Sequence, residues 1–174
     1  MRLFIAIDLD QEDYFKQIQG QIPESKATYP KAFHLTLQFL GETEKKEEII
    51  NELNKIEFQS FQLKTTKIGV FPAENYIKVV WLGLEENSDL TKLQKDIEKA
   101  LDKFNFKKDH NFHPHVTLAR IKFIRQEDKK EFTANLKEIK FVEKVFEVET
   151  FKLIKSELTR QGSVYDVVAV FSAK

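Results

Sequence analysis

Two of the four histidines in this 174-residue chain open the same pattern, His34-Leu35-Thr36-Leu37 and His115-Val116-Thr117-Leu118. In an extended strand, residues i and i+2 share a face. Each imidazole therefore stands beside its threonine hydroxyl, while the leucine that closes each pattern anchors the opposite face in a core. Two imidazoles titrating near neutrality can act as one general base and one general acid. Two hydroxyl donors suit the non-bridging oxygens of a phosphate held between them. This is the layout of metal-free phosphodiester cleavage. Spacing alone leaves the acid and the base unassigned, because the two motifs are equivalent by pattern.

The elements that must position these residues are legible in the apolar periodicity. Leu3 to Leu9 reads as a buried strand, followed by a helix carrying Tyr14, Phe15, Ile18 and Ile22. Phe33 to Phe39 alternates as a strand. Phe33, Leu35, Leu37 and Phe39 face one way, and His34, Thr36 and Gln38 the other. Thr43 is placed to cap a helix with the stripe Ile49, Ile50, Leu53 and Ile56. Phe61 to Val70 and Ile77 to Leu84 read as strands, and Ser88 opens a helix running to Phe104. His115 to Ile121 is a further strand and Glu127 to Leu136 a helix. Val145 to Ile154 and Val164 to Phe171 read as the last two strands, turning at Gly162.

Strand, helix, then a strand beginning His-x-Thr-Leu occurs twice, half a chain apart. Neither copy is large enough to bury a core of its own, so the expected architecture is α+β: two pseudo-symmetric lobes with antiparallel-rich sheets flanked by helices. The seam between them is the expected central cleft. Residues 1–174 are expected to form one bilobal domain.

Composition narrows the function further. The chain has no cysteine, which excludes thiol nucleophiles, disulfide scaffolds and thiolate metal sites and points to a reducing, cytoplasmic setting. The formal net charge is zero, so a histone-like polycation is excluded. The longest apolar runs, such as Val79 to Leu82, are far shorter than the roughly 20 residues of a membrane span. Trp81, inside that run, is expected in the core. Neither a P-loop nor a G-x-G-x-x-G stretch is present, which argues against a dedicated nucleotide-driven ligase.

Other features offer weaker chemistry. His110, His113 and His115 could supply ligands to a zinc ion only if a fourth group came from elsewhere, and His115 already has a matched role in the repeat. The segment Lys103 to Lys140 carries ten basic and five acidic residues, enough to attract an RNA end or simply to solvate a surface. Phe112 and Tyr165 could stack on a base, although packing is the commoner use of an aromatic in a chain with 16 phenylalanines.

The segments Arg2-Leu3-Phe4-Ile5-Ala6-Ile7, His34-Leu35-Thr36-Leu37-Gln38-Phe39-Leu40-Gly41 and Pro114-His115-Val116-Thr117-Leu118-Ala119-Arg120 resemble the two-histidine (2H) phosphoesterases. The resemblance is to the branch of RNA 2′,3′-cyclic phosphodiesterases, also called 2′-5′ RNA ligases. Ser156-Glu157-Leu158, Gly162 and Tyr165 extend it to the end of the chain. It implies a bilobal α+β fold and metal-free, cofactor-free hydrolysis of a terminal 2′,3′-cyclic phosphate on RNA to a 2′-phosphate.

Carried over by position, the resemblance makes His34 the proton donor to the departing 3′ oxygen and His115 the base that activates water. Thr36 and Thr117 become phosphate ligands, and Arg120 matches a family arginine that neutralises the phosphate. The place equivalent to Arg120 in the first motif is Phe39. Arg120 has the opposite strand parity to His115 and Thr117, so a bend near Ala119 is required if it is to share their face. The expected partner is an RNA end, with tRNA halves among the candidates, met by a monomer. An RNA-end binding module and a ligase-like activity on tRNA halves are the alternatives.

Overall fold

The computed structural model describes residues 1–174. The chain runs β1 (Arg2–Asp8), α1 (Glu12–Gln19), β2 (Lys26–Thr28), β3 (His34–Glu42), α2 (Lys46–Leu53), β4 (Phe61–Ala73) and β5 (Tyr76–Leu84). It continues with α3 (Ser88–Ala100), β6 (His115–Phe123), α4 (Lys129–Leu136), β7 (Val145–Val148), β8 (Thr150–Thr159) and β9 (Gly162–Ser172). The strands form two antiparallel sheets ordered β3-β1-β8-β9 and β2-β6-β5-β4-β7. The run β3-β1-β8 is matched neighbour for neighbour by β6-β5-β4, so each histidine strand lies against the central strand of its own lobe.

One core of 34 buried residues draws on both sheets and on all four helices. The lobes are connected by β3 against β6 and by the helices, α1 packing near β6 and α3 near β3. Phe15 of α1 is fully buried. It stacks on Phe33 at 4.7 Å and on Phe146 of β7 at 5.7 Å, joining the start of one histidine strand to the other sheet. Burying a side chain of this kind stabilises by about 1.5–3 kcal/mol. The helical stripe of α3 (Leu90, Leu93, Ile97) is buried as its spacing requires. Asn87 caps that helix, its side-chain oxygen accepting from the Leu90 amide at 2.8 Å.

Two expectations about elements need correction. Val145 to Ile154 is two strands: β7 pairs with β4 and β8 with β1, so the chain changes sheets at Glu149. An apolar run carries no sign of such a crossing. Thr43 does not cap α2, which starts later, at Lys46. Its hydroxyl instead accepts from the Lys45 amide at 3.2 Å in a local turn. The short edge strand β2, polar in sequence, has no periodic signal and is held by pairing to β6.

Candidate active site

Residues opposite one another on antiparallel strands point to the same side, so register fixes which residues share the cleft face. On β1–β3, Asp8 lies opposite His34 and Ala6 opposite Thr36, but Ile5 lies opposite Gln38 and Phe4 opposite Phe39. Leu37 is the extra residue of a β-bulge. On β5–β6, Gly83 lies opposite His115 and Trp81 opposite Thr117, whereas Val80 meets Ala119 and Val79 meets Arg120. Leu118 is the extra residue there.

Each bulge falls three residues after its histidine. Each reverses the alternation, so the residue five places after the histidine returns to the histidine's own face. Arg120 therefore stands on the side of His115 and Thr117, which is the bend that strand parity requires. Phe39 does the same beside His34 and Thr36. Expected on the core side with Leu35 and Leu37, it is instead 62% exposed, its ring 6.1 Å from Phe4.

The second bulge has a support that spacing does not reveal. A bulge frees backbone groups from the ladder, and a buried carbonyl without a partner is costly. Gln19, the last residue of α1, donates its amide to the Leu118 carbonyl and to the Pro30 carbonyl, each at 2.9 Å. A helix placed by one half of the chain thus braces the histidine strand of the other.

The surroundings of the two imidazoles differ. The His115 Nδ1–H donates to the His113 carbonyl at 2.6 Å. Because a carbonyl can only accept, the neutral ring is the tautomer with its lone pair on Nε2. Beneath it lies an aromatic floor, with Phe71 edge-on at 5.0 Å and Trp81 at 6.2 Å. Trp81 is 5% exposed, buried as its apolar neighbours in sequence lead one to expect, and it lies on the cleft face, apart from the main core cluster. Only glycines leave room for its indole: a Cβ on Gly69 would sit 2.2 Å from the ring, and one on Gly83 would sit 3.1 Å from it. The Trp81 Nε1–H is buried without a partner.

His34 is packed between Phe4 at 5.1 Å and the edge of Tyr165 at 5.3 Å, and no hydrogen bond within the chain holds either ring nitrogen. Asp8, opposite it, accepts from Lys152 Nζ at 2.5 Å.

The strands β3 and β6 come together where the sheets meet. Burial pushes His34 from 6.5 down to about 4; the Asp8 carboxylate opposes this, and Arg120 and His115 add to it. His115 is lowered as well, first by burial, with its hydrogen bond to the His113 carbonyl opposing and His113 and Arg120 reinforcing. The Arg120 charge thus bears on both imidazoles, and His115 on His34. Thr36 and Thr117 lie on the same two strand faces, half-buried between the histidines and the bulges.

His34 and Thr36 thus share one face of β3, and His115, Thr117 and Arg120 one face of β6, on the two strands that meet. Of the loop histidines, His113 is part of the floor, 4.7 Å from Trp81. His110, His113 and His115 form no metal-binding cluster, with one another or with carboxylates. Gln19, Trp81, Phe71 and the glycines under the indole escape the sequence patterns, since none lies in the repeated motif.

A family model described as LigT-like phosphoesterase matches the chain twice, over residues 7–81 and 82–165. An RNA 2′,3′-cyclic phosphodiesterase of Methanocaldococcus jannaschii is 38% identical over 175 residues, covering 97% of this chain and 98% of that protein. Its counterpart from Archaeoglobus fulgidus is 33% identical over 179 residues, covering 98% and 99%. Among solved structures, TT0787 of Thermus thermophilus aligns with a TM-score of 0.76 at 26% identity, over 99% of this chain and 97% of that one. The E. coli LigT complex with 3′-AMP shares the fold, with a TM-score of 0.75 at 23% identity and the same coverage. No helix of the chain is long and apolar enough to cross a membrane.

Proposed function

The chain belongs to the LigT-like phosphoesterase family, and from that premise we propose that it is an RNA 2′,3′-cyclic phosphodiesterase working by histidine acid–base chemistry. The observation that supports this is the bulge at Leu118, which turns Arg120 to the face of His115 and Thr117 on the strand that meets β3 with its His34 and Thr36. Water attacks phosphorus in line with the bond to the 3′ oxygen. His115 Nε2 takes the water proton, and His34 gives a proton to the 3′ oxygen as the P–O3′ bond breaks. The products are a 2′-phosphate and a free 3′ hydroxyl.

What supports this order of roles is the asymmetry of the two rings. His115 has its lone pair fixed on Nε2 by the His113 carbonyl, as a base requires. The His34 nitrogens are uncommitted, so a proton can reside on the ring when an anion lies beside it. Each proton transfer contributes about 10²–10⁴ in rate. Thr36, Thr117 and Arg120 hold the non-bridging oxygens, and such preorganised donors contribute about 10²–10³ each when charge builds up in the transition state.

Phe39, exposed beside this cleft, offers a face to the terminal base. Residues 1–174 act as one bilobal unit, for which the shared core and the exchanged helices speak. A monomer, a cytoplasmic setting and tRNA halves among the substrates belong to the same proposal.

The test is hydrolysis of an oligoribonucleotide ending in a 2′,3′-cyclic phosphate, in the presence of EDTA, with the position of the product phosphate resolved. Conversion to a 2′-phosphate is expected, and loss of turnover in His34→Ala and His115→Ala with the fold intact. Full activity in both variants, or turnover only on adding zinc, would overturn the mechanism. Tight binding of the RNA end without turnover would favour a binding module.

A further inference from the structure

Beyond the cleft the two lobes part ways in chemistry. The first motif continues as Phe39-Leu40-Gly41-Glu42, and the second as Arg120-Ile121-Lys122-Phe123. Glu42 and Glu44 take up the N-terminal ammonium at 3.2 and 2.9 Å, so the far end of the first sheet is closed by ion pairs. The far end of the second is basic and aromatic.

Phe123 is 60% exposed and Tyr76 is 56% exposed. Together with Lys78, Lys122 and Lys129 they line one open pocket where β5 and β6 end. Lys78 Nζ lies 4.8 Å over the Tyr76 ring. None of these three lysines is in an ion pair, whereas the one acid of the pocket, Glu74, is engaged by Lys137 at 3.8 Å. Some cations of the same basic segment are committed elsewhere, Lys103 to Glu52 at 2.6 Å and Arg125 to Asp128 at 2.6 Å. What distinguishes the pocket is that three free cations and two exposed rings share it. With a strand rise of about 3.3 Å per residue, Lys122 and Phe123 lie roughly 7–10 Å past Arg120 along the same strand.

We infer that this surface is a binding track for the single-stranded RNA that precedes the terminal cyclic phosphate, resting on the function proposed above for the cleft. Free lysines matched to backbone phosphates and exposed rings matched to base faces are the chemistry of sequence-tolerant single-strand binding. The matching end of the other sheet is taken up by ion pairs of Glu42 and Glu44 with the N-terminal ammonium, so the RNA leaves the cleft over β5 and β6. The enzyme would consequently favour oligoribonucleotides over mononucleoside cyclic phosphates.

The experiment compares kcat/KM on a mononucleoside 2′,3′-cyclic phosphate and on an octaribonucleotide with the same cyclic end. The wild type is set beside Tyr76→Ala/Phe123→Ala and Lys78→Gln/Lys122→Gln. Losing a stacked base costs about tenfold or more. The aromatic variant should therefore lose at least tenfold on the octamer and remain unchanged on the mononucleotide. The lysine variant should flatten the salt dependence on the octamer by about 1.4 in the log–log slope, for two phosphates at about 0.7 each. Equal activity of wild type and variants on the octamer, or parallel losses on both substrates, would overturn the track. If the wild type hydrolysed neither substrate, the cleft function would fail. Fluorescence anisotropy with a labelled octamer ending in a 2′-phosphate would then decide the track alone: weaker binding by both variants sustains it, and unchanged binding refutes it.

Discussion

Protonating His34 in the ligand-free protein is uphill. A pKa near 4 against an ordinary 6.5 corresponds to about 3 kcal/mol against the imidazolium, at about 1.4 kcal/mol per tenfold. At pH 7, roughly one molecule in a thousand carries the proton that the proposed mechanism gives to the leaving oxygen. His115, also below 6.5, already has its lone pair free. An anionic phosphate in the cleft favours the His34 imidazolium directly and offsets the Arg120 charge that opposes it.

Two pH profiles should therefore separate. The value of kcat/KM reports the free enzyme and should begin falling below pH 6.5, about tenfold per pH unit, while kcat reports the complex and should hold to higher pH. Histidine Cε1–H resonances followed by NMR should show His34 titrating near 4 alone and higher with saturating inorganic phosphate. Asp8→Asn removes the carboxylate that raises His34, and should depress both its pKa and neutral-pH kcat/KM. A free-state His34 titrating at 6.5 or above, or a kcat/KM flat from pH 6 to 8, would refute the reasoning.

Three further outcomes follow from the geometry. Since His34 titrates lower in the folded than in the unfolded chain, its contribution to stability is complete above pH 6.5 and is lost as the pH falls towards 4. Urea denaturation of wild type and His34→Gln should diverge by about 3 kcal/mol across that window, and parallel curves would contradict the shift. Gly69→Ala would force the indole aside; overpacking of this kind costs about 1–3 kcal/mol. Because Trp81 is the only tryptophan, its emission spectrum should change together with kcat, and an unaltered spectrum would count against the packing described. Gln19→Leu leaves the Leu118 carbonyl without its donor, with an expected loss of about 1–3 kcal/mol in stability and a fall in kcat/KM, whereas full activity would show that the bulge holds Arg120 unaided.

The repeated His-x-Thr-Leu pattern carried the lobes, the histidine strands and four of the five site residues into view, because strand parity is a local property. Arg120 is different. Its parity pointed away from the cleft, and only the bulge at Leu118 brings it back. A bulge is a decision of pairing between distant strands, with nothing in Leu118-Ala119 to announce it. The same cause misplaced Phe39. Trp81 is buried as its neighbours Val80 and Leu82 suggest; that it is buried on the cleft face depends on the absence of side chains at Gly69 and Gly83, one of them a strand away. The sheet crossing at Glu149 was hidden because both strands bury apolar residues on either side of it.

The extra residue in each histidine strand also works as a phase shift. Deleting Leu118 would keep every histidine, threonine and arginine in the sequence and yet rotate Arg120 out of the cleft, a knockout that removes no functional group. It follows that the two lobes are near-copies of one frame, distinguished by what fills the slot that each phase shift exposes: a cation in one, an aromatic ring in the other. Exchanging Phe39 and Arg120 would deliver the positive charge from the opposite lobe and turn the phosphate clamp around without altering either histidine.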